Sequence, residues 1–253
     1  MQLNQLLMNH LVLIPHLPSA QQGHELILAI AGWRKHFKAD FTLAIMGEGL
    51  PQIDGVINVE SPRVPDVPGE YRAHLDYVSC ARKARAMFPD TDGFIVAGDD
   101  VFAVNDFTYE DVLLPKVQEL SLPTKGTEHP NPWRRNLVKT GILCEKERFA
   151  NFNWTTHLPH AYRWDYLFRI YDTFDCDHHS FVVENIYFNK FLPDQRPILL
   201  HRDDKWKYEV SYTPLYKPDL HDALANKVWI VATEHGWSAE LERELAKHYN
   251  INL

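Results

Sequence analysis

The chain has 253 residues, 45% of them hydrophobic and 24% charged, and carries a net charge of −8. That length suits one large α/β domain with its own core, and the acidic balance excludes a protein whose whole surface binds nucleic acid, though not a local basic groove. Cys80, Cys144 and Cys176 show no CxxC spacing, so a reduced, cytoplasmic protein without a zinc knuckle is expected. No run reaches the roughly 18 apolar residues of a membrane span.

Leu11-Val12-Leu13-Ile14 reads as a first buried strand that stops at Pro15. From His24 to Phe37, the residues Leu26, Ile30, Trp33 and Phe37 recur at helical spacing. Phe41 to Met46 is a second strand, and Val56 to Val59 a short third. A proline-spaced loop, 61–69, leads into a helix from about Glu70 to Phe88, with Tyr71, Leu75, Val78 and Ala81 as its buried stripe. Phe94-Ile95-Val96-Ala97 is the next apolar strand. The first hundred residues thus read β-α-β-β-α-β, which calls for a mostly parallel sheet covered by helices.

That strand runs into Gly98-Asp99-Asp100. Two adjacent carboxylates repel each other, and Mn²⁺ or Mg²⁺, which take oxygen ligands and leave room for a diphosphate, suit the position. A polar turn capped by either aspartate is the plain alternative. In open α/β sheets ligands sit off the carboxyl ends of the strands, which favours the metal. No GxGxxG or GxxxxGK motif is present, against a Rossmann dehydrogenase or a P-loop kinase.

The second half is less regular. Residues 125–139 look like a surface loop, and Leu137 to Cys144 like a strand. Trp164 to Phe174 and Ser180 to Phe191 are helical in pattern, Ile198-Leu199-Leu200 is a short strand, and Arg202 to Lys207 is a charged loop. Val228 to Val231 is a late strand, and Ser238 caps a last helix over Ala239 to His248.

A β-α-β-β-α-β half closing on an apolar strand with an acidic pair resembles the nucleotide-sugar half of GT-A glycosyltransferases, with Gly98-Asp99-Asp100 as a degenerate DxD motif. His157-Leu-Pro159, followed by Glu184-Asn185-Ile-Tyr187, resembles GT-A-like transferases of phages and capsule synthesis, including Stealth-type sugar-phosphate transferases. Gly98 departs from the pattern, since many relatives carry Asp or Asn there. The resemblance implies one domain over 1–253, with a nucleotide-sugar half at 1–106 and an acceptor half at 107–253. It also implies a metal held by Asp100 and Asp99, with His201 as a third ligand from the later half.

Other residues are candidates by type and position. Arg72 suits the donor's phosphate or base, unless it simply pairs with Asp76 four residues on. Asp99, Lys205 and Lys207 would contact the donor, the lysines by folding over its diphosphate. Glu184, set in an apolar run, suits a general base, with His157 second. Trp133, Arg134 and Arg135 would face the acceptor, a polysaccharide or a modified base in DNA. The expected activity is metal-dependent sugar transfer from a nucleotide-sugar. A sugar-phosphate transferase and a non-catalytic sugar- or nucleotide-binding module are the alternatives.

Overall fold

A computed structural model describes residues 10–16, 24–64, 69–201, 203–211, 216–233 and 235–253, with the backbone alone of 69–73 and 217–218. Tyr71 and Arg72 therefore have no described side chain. The early apolar runs form β1 (His10–His16), β2 (Phe41–Gly47), β3 (Ile57–Glu60) and β4 (Gly93–Val96). Between them lie α1 (His24–His36) and α2 (Gly69–Met87). The order read from the sequence is present.

The main sheet has five strands in the order β3-β2-β1-β4-β7, where β7 is His160–Arg163. All neighbours are parallel except β4 and β7. Because β7 runs against β4, it begins where β4 ends, and Val96 lies opposite His160. The central strands are buried on both faces, as parallel strands covered by helices must be. In β1, Leu11 and Leu13 join Ala44 and Met46 in one core, while Val12 and Ile14 join Leu43 and Ile45 in the other. The first core is covered by α2, by α5 (Trp164–Thr173) and by α6 (Val183–Phe191). The second is covered by α1 through Leu26, Ile30 and Trp33.

Helix α1 is also buried on its far side. Leu28 and Ala29 meet Phe102, Ile230 and Leu245, which belong to β5 (Val101–Ala103), β10 (Trp229–Ala232) and α8 (Ala239–Tyr249). Strands β5, β10 and β9 (Lys207–Val210) form a second sheet, flanked by α7 (Lys217–Asn226), whose Leu220 and Ala223 join the same core. The remaining elements are α3 (Tyr109–Leu113), β6 (Lys116–Val117), α4 (Pro132–Glu147) and β8 (Ile198–Leu199). The architecture is a single mixed α/β domain with a mostly parallel central sheet flanked by helices. Among the described residues no helix is long and apolar enough to cross a membrane.

Three expectations for the second half are corrected. The strand expected over Leu137 to Cys144 is the interior of α4, because Leu137, Val138, Gly141 and Cys144 are buried at i, i+1, i+4 and i+7, a helical period. The surface loop expected to 139 ends at Asn131, which caps α4, with Pro132 at its first turn. The charged loop expected through Lys207 is not mobile there: Lys207 opens β9, in register with Trp229 of β10.

Gly32 is where the second sheet and α8 close on α1. A Cβ there would lie 2.9 Å from both the Ala103 carbonyl oxygen and the Tyr249 hydroxyl, which hydrogen-bond each other. Gly32→Val should therefore destabilise the fold by about 1–3 kcal/mol through overpacking. An unchanged urea midpoint would contradict this packing.

Candidate active site

The acidic pair lies in the turn between β4 and β5, off the carboxyl edge of the main sheet. The two aspartates have different neighbours. Asp99 Oδ2 lies 2.6 Å from Nδ1 of His16, the last residue of β1, whose side chain is buried. Asp100 lines a cavity of about 480 Å³. Burial first, and then the charge of Asp99, push the Asp100 carboxyl up to about 6, against a pull downward from His157. Gly98 has a steric role, since a Cβ there would run into Asp100 Oδ1. A side chain at position 98 would displace this carboxylate.

Helix α6 also contributes to the wall. Glu184 stands in its first turn, where the helix dipole favours a carboxylate, and its Oε1 lies 2.7 Å from Nε2 of His160. Helix α6 is locked to the loop that leads into β7: Asn185 Oδ1 accepts from the Trp154 amide, and Asn189 Oδ1 from Phe152 N and Trp154 Nε1. His157 projects from that loop with φ 60°, a left-handed conformation that costs a non-glycine residue about 1–3 kcal/mol. Its neighbour Thr156 holds it there, with its hydroxyl near His160 Nε2 and Leu158 N, and its carbonyl accepting from Lys207.

The cavity thus gathers Asp100, His157, Glu184 and Trp133, with Trp133 half exposed beside Pro132 at the start of α4. Other expected residues lie off it. Asp99 pairs with His16. Asp76 accepts from Val64 N, and the Arg72 side chain is outside the described residues. Lys207 is spent on Gln118, Thr156 and Glu209, and Lys205 lies over the Trp206 ring. Arg135 bonds the carbonyls of His129 and Pro130, and Arg134 is exposed. His201 is exposed, its amide on Asp204. Lining residues not singled out from the sequence include His74, Tyr77, His160, Tyr162, Ser180 and Phe181. His74 and Tyr77 stand three apart on α2, a spacing that marks one helix face. His160 opens a strand that reads only as polar and aromatic.

Asp99, Asp100 and His201 do not form a three-residue cage. Among the described residues no group of three or more His, Cys, Asp or Glu is placed to hold a metal ion. Mg²⁺, however, commonly takes one or two carboxylates and completes its shell with water and substrate phosphate. A half-buried Asp100 beside Asp99 fits that arrangement, because a cation would offset the desolvation and the Asp99 charge that together hold its proton on.

No family model matches the chain, and no curated protein does. Among solved structures, that of a glycosyltransferase involved in the glycosylation of the major capsid of PBCV-1 aligns over 96% of this chain and 100% of its own, at 10% identity and a TM-score of 0.41. Nothing about this chain's activity follows from a likeness of that degree.

The Asp100 carboxyl keeps its proton to a higher pH in the folded chain than the ordinary value near 3.8 allows. Stability is therefore lost as pH rises from about 4 to about 6, and the loss is complete above that. Asp100→Asn, which does not ionise, should stabilise the protein by roughly 1–3 kcal/mol at pH 7.5 and by little at pH 4. Urea denaturation at the two pH values checks this; an equal effect at both would contradict it.

Proposed function

We propose that the chain is a glycosyltransferase of the GT-A type. It moves a sugar from a nucleotide-sugar donor to the hydroxyl of a neutral glycan. The observation that carries this reading is one cavity, off the carboxyl edge of a mostly parallel sheet, lined by both Asp100 and Glu184.

The two carboxylates divide the work. Asp100, with Asp99 behind it, would hold Mn²⁺ or Mg²⁺ at the donor's diphosphate. When bound, the cation supplies the positive charge that the leaving diphosphate needs. Glu184 acts as general base. The acceptor oxygen forms a bond to the anomeric carbon, the bond from that carbon to the diphosphate breaks, and the nucleoside diphosphate leaves with the electron pair. The acceptor's proton passes to Glu184. His157, near Asp100 in the lining, offers a ring N–H toward the departing charge.

Lining charges favour the neutral acceptor over DNA. Among the described lining residues there are two carboxylates and three histidines but no lysine or arginine. A phosphodiester would meet net negative charge here, whereas nucleic-acid sites depend on Lys and Arg. Trp133 offers a ring at the wall of the cavity, while Arg134 and Arg135 do not line it. An aromatic face suits the apolar side of a sugar.

A thermal-shift panel of UDP-glucose, UDP-galactose, GDP-mannose and dTDP-glucose, each with and without Mn²⁺, tests the reading. A donor at a hundred times its Kd stabilises by about 2.7 kcal/mol, a rise of several degrees for a chain of this size. One of the four should do so, more with Mn²⁺, and Asp100→Ala should remove the metal-dependent part. No shift with any of them would contradict the proposal, and an unchanged metal effect in Asp100→Ala would remove Asp100 from it.

A further inference from the structure

We infer that His160 is the positioning residue for Glu184, holding the carboxylate by one oxygen so that the other receives the acceptor's proton. This rests on the reading of Glu184 as the base.

The geometry is built from three directions. His160 is the first residue of β7 and is placed by the ladder, opposite Val96 at the end of β4. Glu184 is placed by the first turn of α6, which Asn185 and Asn189 tie to residues 152–154. Thr156, on the loop that leads into β7, sets its hydroxyl 3.2 Å from His160 Nε2. Only 2.7 Å separates Nε2 from Glu184 Oε1, so a proton must lie between the two atoms. With that proton on nitrogen, the imidazole donates to Oε1 and stops the carboxylate from rotating. The second oxygen then takes the acceptor's proton while the imidazole keeps its own, so no further donor or acceptor is required. The ring of His160 is also packed against Phe188, 5.0 Å between centroids, which limits its own rotation.

Other titratable groups near Glu184 do not fill this role. The Tyr77 and Tyr162 hydroxyls, from α2 and β7, are held protonated by burial, with the Glu184 charge adding to the effect. His74 Nε2 is engaged by the Cys176 carbonyl at 2.8 Å. His157 bears on Asp100 across the cavity. Among these described groups, His160 is the one in contact with the carboxylate.

The test is a double-mutant cycle on nucleoside-diphosphate release, with Mn²⁺ and the same four nucleotide sugars, using water and simple alkyl glycosides as acceptors. His160→Ala should lower kcat by about 10²-fold, the usual scale for a misplaced catalytic group, with KM for the donor unchanged. His160→Gln, which keeps a donor N–H, should recover part of the loss, and it serves also if the alanine variant does not fold. Glu184→Gln combined with His160→Ala should be no slower than Glu184→Gln alone, because groups that act as one unit are not additive. Losses that multiply in the double variant, or a folded His160→Ala with kcat within twofold of the parent, would overturn the inference and leave Glu184 as base. Full release by Glu184→Gln, or none by the parent chain from any donor, would instead overturn the base or the transferase reading, and this inference with it.

Discussion

The contact between His16 and Asp99 decides what the end of β4 can be. Two adjacent carboxylates off a parallel sheet would repel and splay the turn unless one were anchored by a hydrogen bond. The imidazole at the end of β1, buried and 2.6 Å from Asp99 Oδ2, takes that one. Asp100 is left facing the cavity, with its neighbour's charge behind it. Its raised pKa is the record of that arrangement: burial and Asp99 both act against its ionisation. Glycine at position 98 belongs to the same design, since the Asp100 carboxylate lies where a side chain would otherwise be. Substituting Gly98 would move the group that the cavity depends on.

The sheet supplies the rest by direction alone. Parallel strands bring the ends of β1, β2 and β4 to one edge, and the reversal at β7 brings its beginning to that edge as well. His160 therefore arrives beside the acidic turn after an excursion through β5, α3, β6 and α4. Helix α6 then lays Glu184 against His160, fixed by the paired amides of Asn185 and Asn189. Hydrogen-bonded buried amides are a rigid support, and here they fix the helix that carries Glu184 while His160 contacts its carboxylate.

What the sequence revealed follows from range. Leu11-Val12-Leu13-Ile14 and Phe94-Ile95-Val96-Ala97 are buried on both faces, so their apolar runs were legible, as was the stripe Leu26, Ile30, Trp33. The acidic pair announced itself by sitting at the end of such a run. Helix α4 was misread because Pro, His, Trp and Arg around its start mask the Asn131-Pro132 cap, and because Leu137-Val138 looks like a strand when read alone. Lys207 was expected to be free because its partners, Gln118, Thr156 and Glu209, include two from remote segments. His160 carried no local signal at all. Its meaning lies in strand pairing with Val96 and in a contact with Glu184, twenty-four residues later, and neither is visible in a run of residue types. The expected set Asp99, Asp100 and His201 failed to gather for the same reason: a histidine at a strand end says nothing about which edge that strand joins.

The account stands or falls on Asp100 as the residue that receives a cation together with a diphosphate. Electron paramagnetic resonance of free Mn²⁺, titrated with the protein in the presence and absence of UDP, GDP and dTDP, reads this directly. The account predicts weak Mn²⁺ uptake by the protein alone, strong uptake with one of the nucleoside diphosphates, and loss of that uptake in Asp100→Asn. Equal uptake by Asp100→Asn, or no uptake with any of the three, would contradict it.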